Sequence, residues 1–435
     1  MSNAGAPGSS VAYRNYVLFI LVLLNTVNFV DRTAISILAP SIQAEFQISN
    51  EATGLIMGIA FTFFYAFLGF PIARLIDTRS RRNMLAIVLT VWSGMTALCG
   101  AAANFVMLFL FRIGVGIGEA GAGPASHSLI ADYYRKADRP TAIGIFSLGV
   151  PLGNFLGIVL GGLLVGLIDW RWTFVALGAP GILLALIVRF TVREPARGAT
   201  DDPADAAALR AGDEIPLWTS IKDLTSRPTF RIMALSAAPS ALCGYGMNLW
   251  MPSFLVRIHE LTQAQISLPL GVAIGLGGGL GAMAGGAITA RAAKRDPRAF
   301  LSLPALTMVV FAVALLIAVW TSSLVIVYTA LFVAAFTQFY LMGPFFAVVQ
   351  RLAPLRGRAV ATAYFFFILS FIGLGIGPWY VGRMNDFFSA TYGEAEGLRL
   401  ALMTLPAISL VAAAIAWFGR GAVTRDADRI GGPVA

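Results

Sequence analysis

Long apolar runs, separated by short polar stretches, make up most of the chain from Tyr16 to Phe418. A helix crossing the hydrocarbon core of a bilayer needs about 20 predominantly apolar residues. That window predicts twelve spans, at roughly 16–40, 52–75, 83–103, 105–132, 141–168, 172–192, 229–256, 264–290, 299–320, 322–350, 359–382 and 397–418. The runs are apolar on every face, whereas transmembrane β-strands alternate polar and apolar residues in short segments. The pattern therefore excludes a barrel and predicts an all-α membrane protein of twelve transmembrane helices.

One long polar interruption, opening Arg193-Glu194-Pro195-Ala196-Arg197-Gly198, divides the spans six and six. The expected organisation is a six-helix bundle over 1–192, a cytoplasmic linker over 193–228, a second six-helix bundle over 229–420 and a cytoplasmic tail over 421–435. Within the linker, Trp218 to Leu224 reads as a short amphipathic helix. The remaining loops are short, which leaves no soluble domain and no convergent catalytic set, so the chain is not read as an enzyme. The halves echo each other: Gly123-Pro124, Gly153, Gly157 and Gly162 recur as Gly343-Pro344, Gly373, Gly377 and Gly382, a constant shift of 220 residues. Repeated six-helix units point to transporters that rock one half against the other around a central site.

Composition sharpens this reading. Hydrophobic residues are 58% of the chain and charged ones 12%, about half the charged share of a soluble domain. The formal charge of +9 is not spread evenly. Most basic residues fall on the side that twelve spans assign to both termini, including Arg79, Arg81, Arg82, Arg135, Lys136 and Arg139; the other side holds Arg171, Arg257, Arg383 and Arg399. Cytoplasmic loops carry the Lys/Arg excess. Both termini are therefore expected in the cytoplasm of a cell whose plasma membrane, a bacterial inner membrane, holds the protein, and nucleic acid is not an expected partner. The first apolar run is too long for a cleavable signal and reads as a true span. Cys99 and Cys243 both lie in spans, so neither a disulfide framework nor a metal site is expected, and no cofactor is implied.

Four charges interrupt the spans: Asp31, Arg32, Arg112 and Glu119. A charge near the bilayer centre costs about 2.5–3.5 kcal/mol on insertion scales and usually faces a bundle interior or a wet cavity. Arg112 and Glu119 are seven residues, two turns, apart, which puts them on one helix face about 10 Å apart along the axis. Asp31 falls between them in depth. Glu119 is thus expected to carry protons, with Asp31 as its competitor for Arg112; the plain alternative is a static ion-pair network. Asn25, Asn28 and Arg32 continue a polar stripe on the first span. In the second half Tyr245, Asn248, Trp250, Gln338, Tyr340, Tyr364 and Trp379 are polar-tipped or aromatic groups within spans. Asn25, Asn28 and Arg32 from the first span, with Tyr245, Asn248 and Tyr364 from these, are the substrate-cavity candidates, and together such groups would line a cavity for a small amphiphilic substrate.

Two patterns mislead. Gly116-Ile-Gly118-Glu-Ala-Gly121 spells a dinucleotide fingerprint but lacks the preceding strand that such a loop requires. His127 and Asp132, five residues apart, would point about 140° apart on a helix and do not converge.

The loop Ala73-Arg74-Leu75-Ile76-Asp77-Thr78-Arg79-Ser80-Arg81-Arg82 resembles the signature of the major facilitator superfamily, Gly-x-x-x-Asp-x-x-Gly-Arg/Lys-Arg/Lys. Asp77, Arg81 and Arg82 match; Ala73 and Ser80 replace the two glycines. The resemblance implies a cytoplasmic latch made by Asp77, Arg81 and Arg82. Gly149, Gly153, Gly157 and Gly161 resemble the superfamily's glycine-rich fifth helix, where small residues let helices approach closely. Narrower strings resemble the spinster family: Asn28-Phe29-Val30-Asp31-Arg32, Arg112-Ile-Gly-Val-Gly-Ile-Gly-Glu119-Ala, Ser128-Leu-Ile-Ala-Asp132 and Leu249-Trp250-Met-Pro-Ser-Phe-Leu255. Phe29 stands where that family has tyrosine. The resemblance implies a lipid or lysolipid transporter working as a monomer among membrane lipids, with Asp31, Arg112 and Glu119 as its functional charges; from the buried carboxylates, protons are the expected driving ion. Two other readings stay open: a permease for sugar phosphates or other organic anions, and a membrane receptor that binds without transport.

Overall fold

The computed structural model describes residues 10–200, 217–353 and 358–426, and among them every regular element is helical. The first half carries α1 (Val11–Phe46), α2 (Asn50–Met57), α3 (Ile59–Thr78), α4 (Arg81–Cys99), α5 (Phe105–Glu119), α6 (Ala122–Tyr133), α7 (Arg139–Ser147), α8 (Gly149–Leu167) and α9 (Trp170–Thr191). The second half carries α10 (Leu217–Ser226), α11 (Pro228–Ile258), α12 (Gln263–Ala293), α13 (Ala299–Trp320), α14 (Leu324–Tyr340), α15 (Met342–Leu352), α16 (Arg358–Leu369), a π-helical turn (Ser370–Ile376), α17 (Gly377–Tyr392), α18 (Glu394–Gly419) and α19 (Ala422–Arg425). Helix α10 sits where the linker was expected to form one.

Among the described residues, eleven helical stretches are long and apolar enough to cross a membrane. The expected twelfth is α11, whose 31 residues suffice in length. It is less apolar because Ser236, Ser240, Tyr245, Asn248, Ser253 and Arg257 fall within it. Side chains such as Phe19, Val106, Phe190 and Phe418 lie exposed. In water that pattern would be a liability; in a bilayer it is the lipid-facing surface.

Short polar caps fix the helix ends. Ser49, Asn104 and Asp169 accept hydrogen bonds from the first-turn N–H groups of α2, α5 and α9, and Thr262 with Gln265 forms a capping box on α12. Spans four and ten each break once, before residue 122 and at residue 341. These places are equivalent under the 220-residue shift. Pro124 and Pro344 then stand third in α6 and α15, in a first turn where a missing N–H goes unnoticed.

The chain divides into two compact units, one of Met1–Leu38 with Ala60–Glu214, the other of Ala39–Ile59 with Ile215–Ala435. Residues 39–59, the end of α1 together with α2, cluster with the second unit, where Asn50 and Glu51 bond to Asp386.

In the first unit α8 lies along α1, and its glycines set the spacing. A Cβ at Gly153 would stand 2.5 Å from the Thr26 carbonyl oxygen, and one at Gly157 2.9 Å from that of Val30. The glycine row thus fixes the depth and rotation of the helix that carries Asp31 and Arg32. The misleading Gly116 and Gly118 serve packing too: a Cβ at Gly116 would meet the Phe61 carbonyl oxygen at 2.3 Å, and one at Gly118 the Trp92 backbone nitrogen at 2.7 Å.

Candidate functional site

All four charges singled out in the sequence lie in the first unit. Asp31, Arg112 and Glu119 are each 1% exposed. One regular ion pair joins members of the group: Arg32 Nε donates to Glu119 Oε2 at 2.6 Å. The partner expected for Glu119 was Arg112, two turns away on the same helix; the structure supplies Arg32 from α1 instead. Glu119 closes α5 just before the break at residues 120–121, which places its carboxylate against a neighbouring helix.

Aromatic rings complete the setting of Arg32. Its guanidinium carbon lies 5.0 Å from the Phe29 ring centroid, 4.9 Å from Phe61 and 4.7 Å from Tyr65. Cations over ring faces are attracted by the quadrupole, most strongly where water is excluded. Phe61 is shared: the Arg112 guanidinium lies 5.5 Å from the same ring. Both cations thus neighbour one ring.

The other members are under-satisfied. Both oxygens of Asp31, Nε and Nη1 of Arg112, and Oε1 of Glu119 are buried and find no hydrogen bond of regular geometry among the described residues. Asp31 lies within electrostatic reach of Arg112 and Glu119, beside the polar groups of Thr96 and Trp92. Buried polar groups in folded proteins are nearly always paired, and the exceptions concentrate where structure has a second task. Asn28 adjoins Glu119, whereas Asn25 donates to the Phe146 carbonyl at 3.0 Å. Asn25, proposed as a cavity residue, thus packs α1 against α7.

A second cluster ties residues 193–200 to the bundle. Arg81, 1% exposed, pairs with Asp132 and, at 2.8 Å, with Glu194. Glu194 also accepts from the Ser80 hydroxyl and the Arg82 N–H, both at 2.8 Å. Arg197 donates to the carbonyls of Ile76 and Arg79, and Gly198 N–H to Asp132. Partial burial alone would raise the Glu194 carboxyl, but the Arg82 N–H, the Arg81 guanidinium and the Ser80 hydroxyl outweigh it and hold it below the ordinary glutamate range. Arg81 of the expected latch is therefore committed to its own unit. The Arg82 side chain donates to Asn83 at 3.1 Å, and the Asp77 side chain lies outside the described residues. In the sequence Asp132 stood out only within a family-like string and beside His127, and Glu194 and Arg197 only as the opening of the polar linker. A buried arginine with two carboxylates from distant segments leaves no local periodicity to read.

The second unit holds a small cavity of about 60 Å³. Tyr245, Asn248, Gln338 and Ser370 supply its polar lining; Phe339, Met342, Phe345, Phe366 and Leu369 supply most of the apolar lining. Gln338 Nε2 donates to the Ser240 carbonyl at 3.0 Å across Gly244, where any Cβ would strike the amide at 2.3 Å. Among the described residues, no charged side chain lines it. Tyr364 is not part of this wall: it stacks on Phe230 at 6.0 Å within the apolar core. Tyr340 pairs with Thr289, Trp250 Nε1 donates to the Pro378 carbonyl, and Trp379 Nε1 to Glu51.

Comparison with known proteins places this geometry. Residues 21–378 match the family model of the Major Facilitator Superfamily. An MFS-type efflux pump of Mycolicibacterium smegmatis is 32% identical over 409 residues, 94% of this chain and 92% of that one. Protein spinster homolog 1 of Homo sapiens is 26% identical over 98% of this chain and 83% of its own. Among solved structures, a bacterial homolog of the human lysosomal transporter Spinster, in an inward-facing and unoccupied conformation, is 31% identical with a TM-score of 0.87, covering 96% of this chain and 99% of that one.

Proposed function

Since this membrane transporter belongs to the spinster family of the Major Facilitator Superfamily, we propose that it moves an amphiphilic, lipid- or lysolipid-like substrate by proton-coupled alternating access. Residues 1–192 and 229–420 are the two moving bundles, and the protein works as a monomer. The Lys/Arg asymmetry supports a bacterial inner-membrane orientation with both termini on the cytoplasmic side.

The observation that carries this reading is the buried group Asp31, Arg32, Arg112 and Glu119, in which two acids and two bases share a single regular ion pair. A carboxylate that gains a proton gives up its hold on a cation. Protonation of Glu119 would release Arg32, held then only by Phe29, Phe61 and Tyr65, to an anionic substrate group. Asp31 stands beside Arg112 as the second exchangeable carboxylate. The small uncharged cavity of the second unit, taken by itself, offers apolar contacts at Phe339, Phe345 and Phe366 and polar ones at Asn248 and Tyr245, the mixed chemistry an amphiphile needs. Its lack of a basic residue counts against a permease that clamps a sugar phosphate between cations from both halves.

The test is reconstitution into proteoliposomes with an imposed pH gradient, screening lysophospholipids against small organic anions while internal pH is followed. Lysophospholipid flux coupled to proton movement is expected. Glu119→Gln and Asp31→Asn should bind substrate yet fail at gradient-driven uptake. Undiminished proton-dependent flux in both variants rejects the assignment of these carboxylates. Flux of organic anions alone rejects the substrate class.

A further inference from the structure

Helix α2 begins in an unusual way: a carboxylate distant in sequence takes over its first turn. Asp386, on α17, accepts the Asn50 N–H at 3.0 Å through Oδ1 and the Glu51 N–H at 2.8 Å through Oδ2. The Asn50 side-chain amide donates to the same Oδ1 at 2.7 Å. Ser49 takes the Ala52 N–H, so the free donors at this helix start are divided between a local cap and Asp386. A carboxylate at a helix N-terminus is favoured both by those unpaired N–H groups and by the helix dipole.

Asn50, 1% exposed, is the hub of the contact. Its Oδ1 accepts from Arg257 Nη1 at 2.9 Å and from Gln43 Nε2 at 3.0 Å. Beside it Glu51 accepts from Trp379 Nε1 at 2.9 Å and pairs with Arg383 at 3.1 Å.

The backbones themselves meet with no room between them. A Cβ at Gly54 would lie 2.5 Å from the Pro378 carbonyl oxygen, one at Gly58 2.5 Å from that of Gly375, and one at Gly382 2.3 Å from that of Asn50. Three glycines along a single seam, together with a charged cap at its end, describe a contact shaped to close fully. Yet residues 39–59 continue covalently into α3 and the rest of the first unit. Their turn at 47–49 is at the end of the 50–78 stretch opposite the Arg81 cluster.

We propose that Asp386 is the clasp of one closed state of the transport cycle: its capping of α2 holds residues 39–59 on α17, and the cycle requires that cap to be broken and remade. The interaction suits a reversible closure, because every group it joins can be taken over by water on separation: two backbone donors, a side-chain amide and a carboxylate. An apolar seam of the same size would offer no such replacement. The inference rests on the alternating-access reading.

The experiment uses the full-length protein in lipid nanodiscs, with spin labels at Ala44→Cys and Ala395→Cys, both exposed, while the native Cys99 and Cys243 are buried. Pulsed electron–electron resonance reads the distance populations. Asp386→Asn weakens the cap, and Asn50→Asp sets a second carboxylate against Asp386; each should raise the longer-distance population at least threefold. Gly54→Leu, a steric wedge in the seam, should do the same without touching a charge. A change in fold stability alone would not redistribute two defined distances. Unaltered populations in both Asp386→Asn and Asn50→Asp overturn the clasp. If the wedge shifts them in that case, alternating access survives without it. If the wedge also leaves a single distance and no substrate flux is found, the transport reading falls as well.

Discussion

Arg32 and Glu119 stand 87 residues apart in the chain and meet at 2.6 Å, with the Glu119 side chain wholly buried and Arg32 boxed by three aromatic rings. Removing one partner of such a pair leaves an uncompensated buried charge, at about 3–5 kcal/mol, whereas removing both charges can be nearly neutral. Arg32→Ala should therefore lower the thermal midpoint by several degrees, and adding Glu119→Gln should restore most of the loss. Differential scanning fluorimetry on the three variants decides it. If the double variant is no more stable than Arg32→Ala, then Glu119 draws its compensation from elsewhere, with Arg112 the first suspect.

Arg81 and Arg82 are neighbours of the same charge with unequal work. Arg81 reaches Asp132 and Glu194 with its side chain, while Arg82 meets Glu194 through its backbone N–H. Arg81→Ala strips two carboxylates of their cation and should release residues 193–200, the strap that these bonds tie to the bundle. Trypsin cleavage after Arg197 should become about tenfold faster or more, since hydrogen bonds to charged groups contribute about 1.5–3 kcal/mol each. Arg82→Ala should change that rate less than threefold. Mass spectrometry of timed digests gives both numbers, and equal rates in the two variants would contradict the strap.

Glu194 also sets a pH dependence. Its carboxyl is held below the ordinary glutamate range in the folded protein, so its contribution is fully present above the unfolded-state value of about 4.3. It is lost as pH falls through the lower folded value. The difference in thermal midpoint between the native protein and Glu194→Gln should stay constant from pH 8 to 5 and shrink below about pH 4.3. A difference that already fades near neutrality would mean that another group controls the strap.

Much of this architecture could be read from the chain because lipid imposes a coarse rule. Twenty apolar residues mark a span wherever they occur, so helix number, the six-and-six division and the 220-residue echo needed no tertiary knowledge. The membrane charges were legible for the same reason: Asp31 and Glu119 stand out against Phe, Ile and Gly. Their partners were not. Arg32 was visible as part of a stripe, but its meeting with Glu119 depends on how α1 is rotated, and that rotation is set by α8 through Gly153 and Gly157. Asp386 was invisible for a different reason. It lies beyond the predicted end of span eleven, beside Arg383 and Asn385, where a carboxylate is unremarkable until Asn50, 336 residues away, is found donating to it. The contacts of residues 39–59 were hidden on the same account, because covalent order joins them to the first half whereas their hydrogen bonds reach residues far along the chain.

Glycines offer a final prediction, since the sequence shows 45 of them without ranking them. At Gly153 a methyl group would press within 2.5 Å of both the Thr26 carbonyl oxygen and the Phe29 Cβ, neither of which can move without displacing α1. At Gly123 and Gly144 the same methyl would meet nothing within 4 Å. Overpacking costs about 1–3 kcal/mol, while replacing an unconstrained helical glycine by alanine gains about 0.5–1 kcal/mol. Gly153→Ala should therefore lower the thermal midpoint, and Gly123→Ala or Gly144→Ala should leave it level or raise it slightly. Because α1 carries Asp31 and Arg32, Gly153→Ala should also depress transport more than its stability loss accounts for, measured as flux per folded molecule in proteoliposomes. Flux that simply tracks the folded fraction would mean that the glycine row spaces two helices without setting the register of the charges they carry.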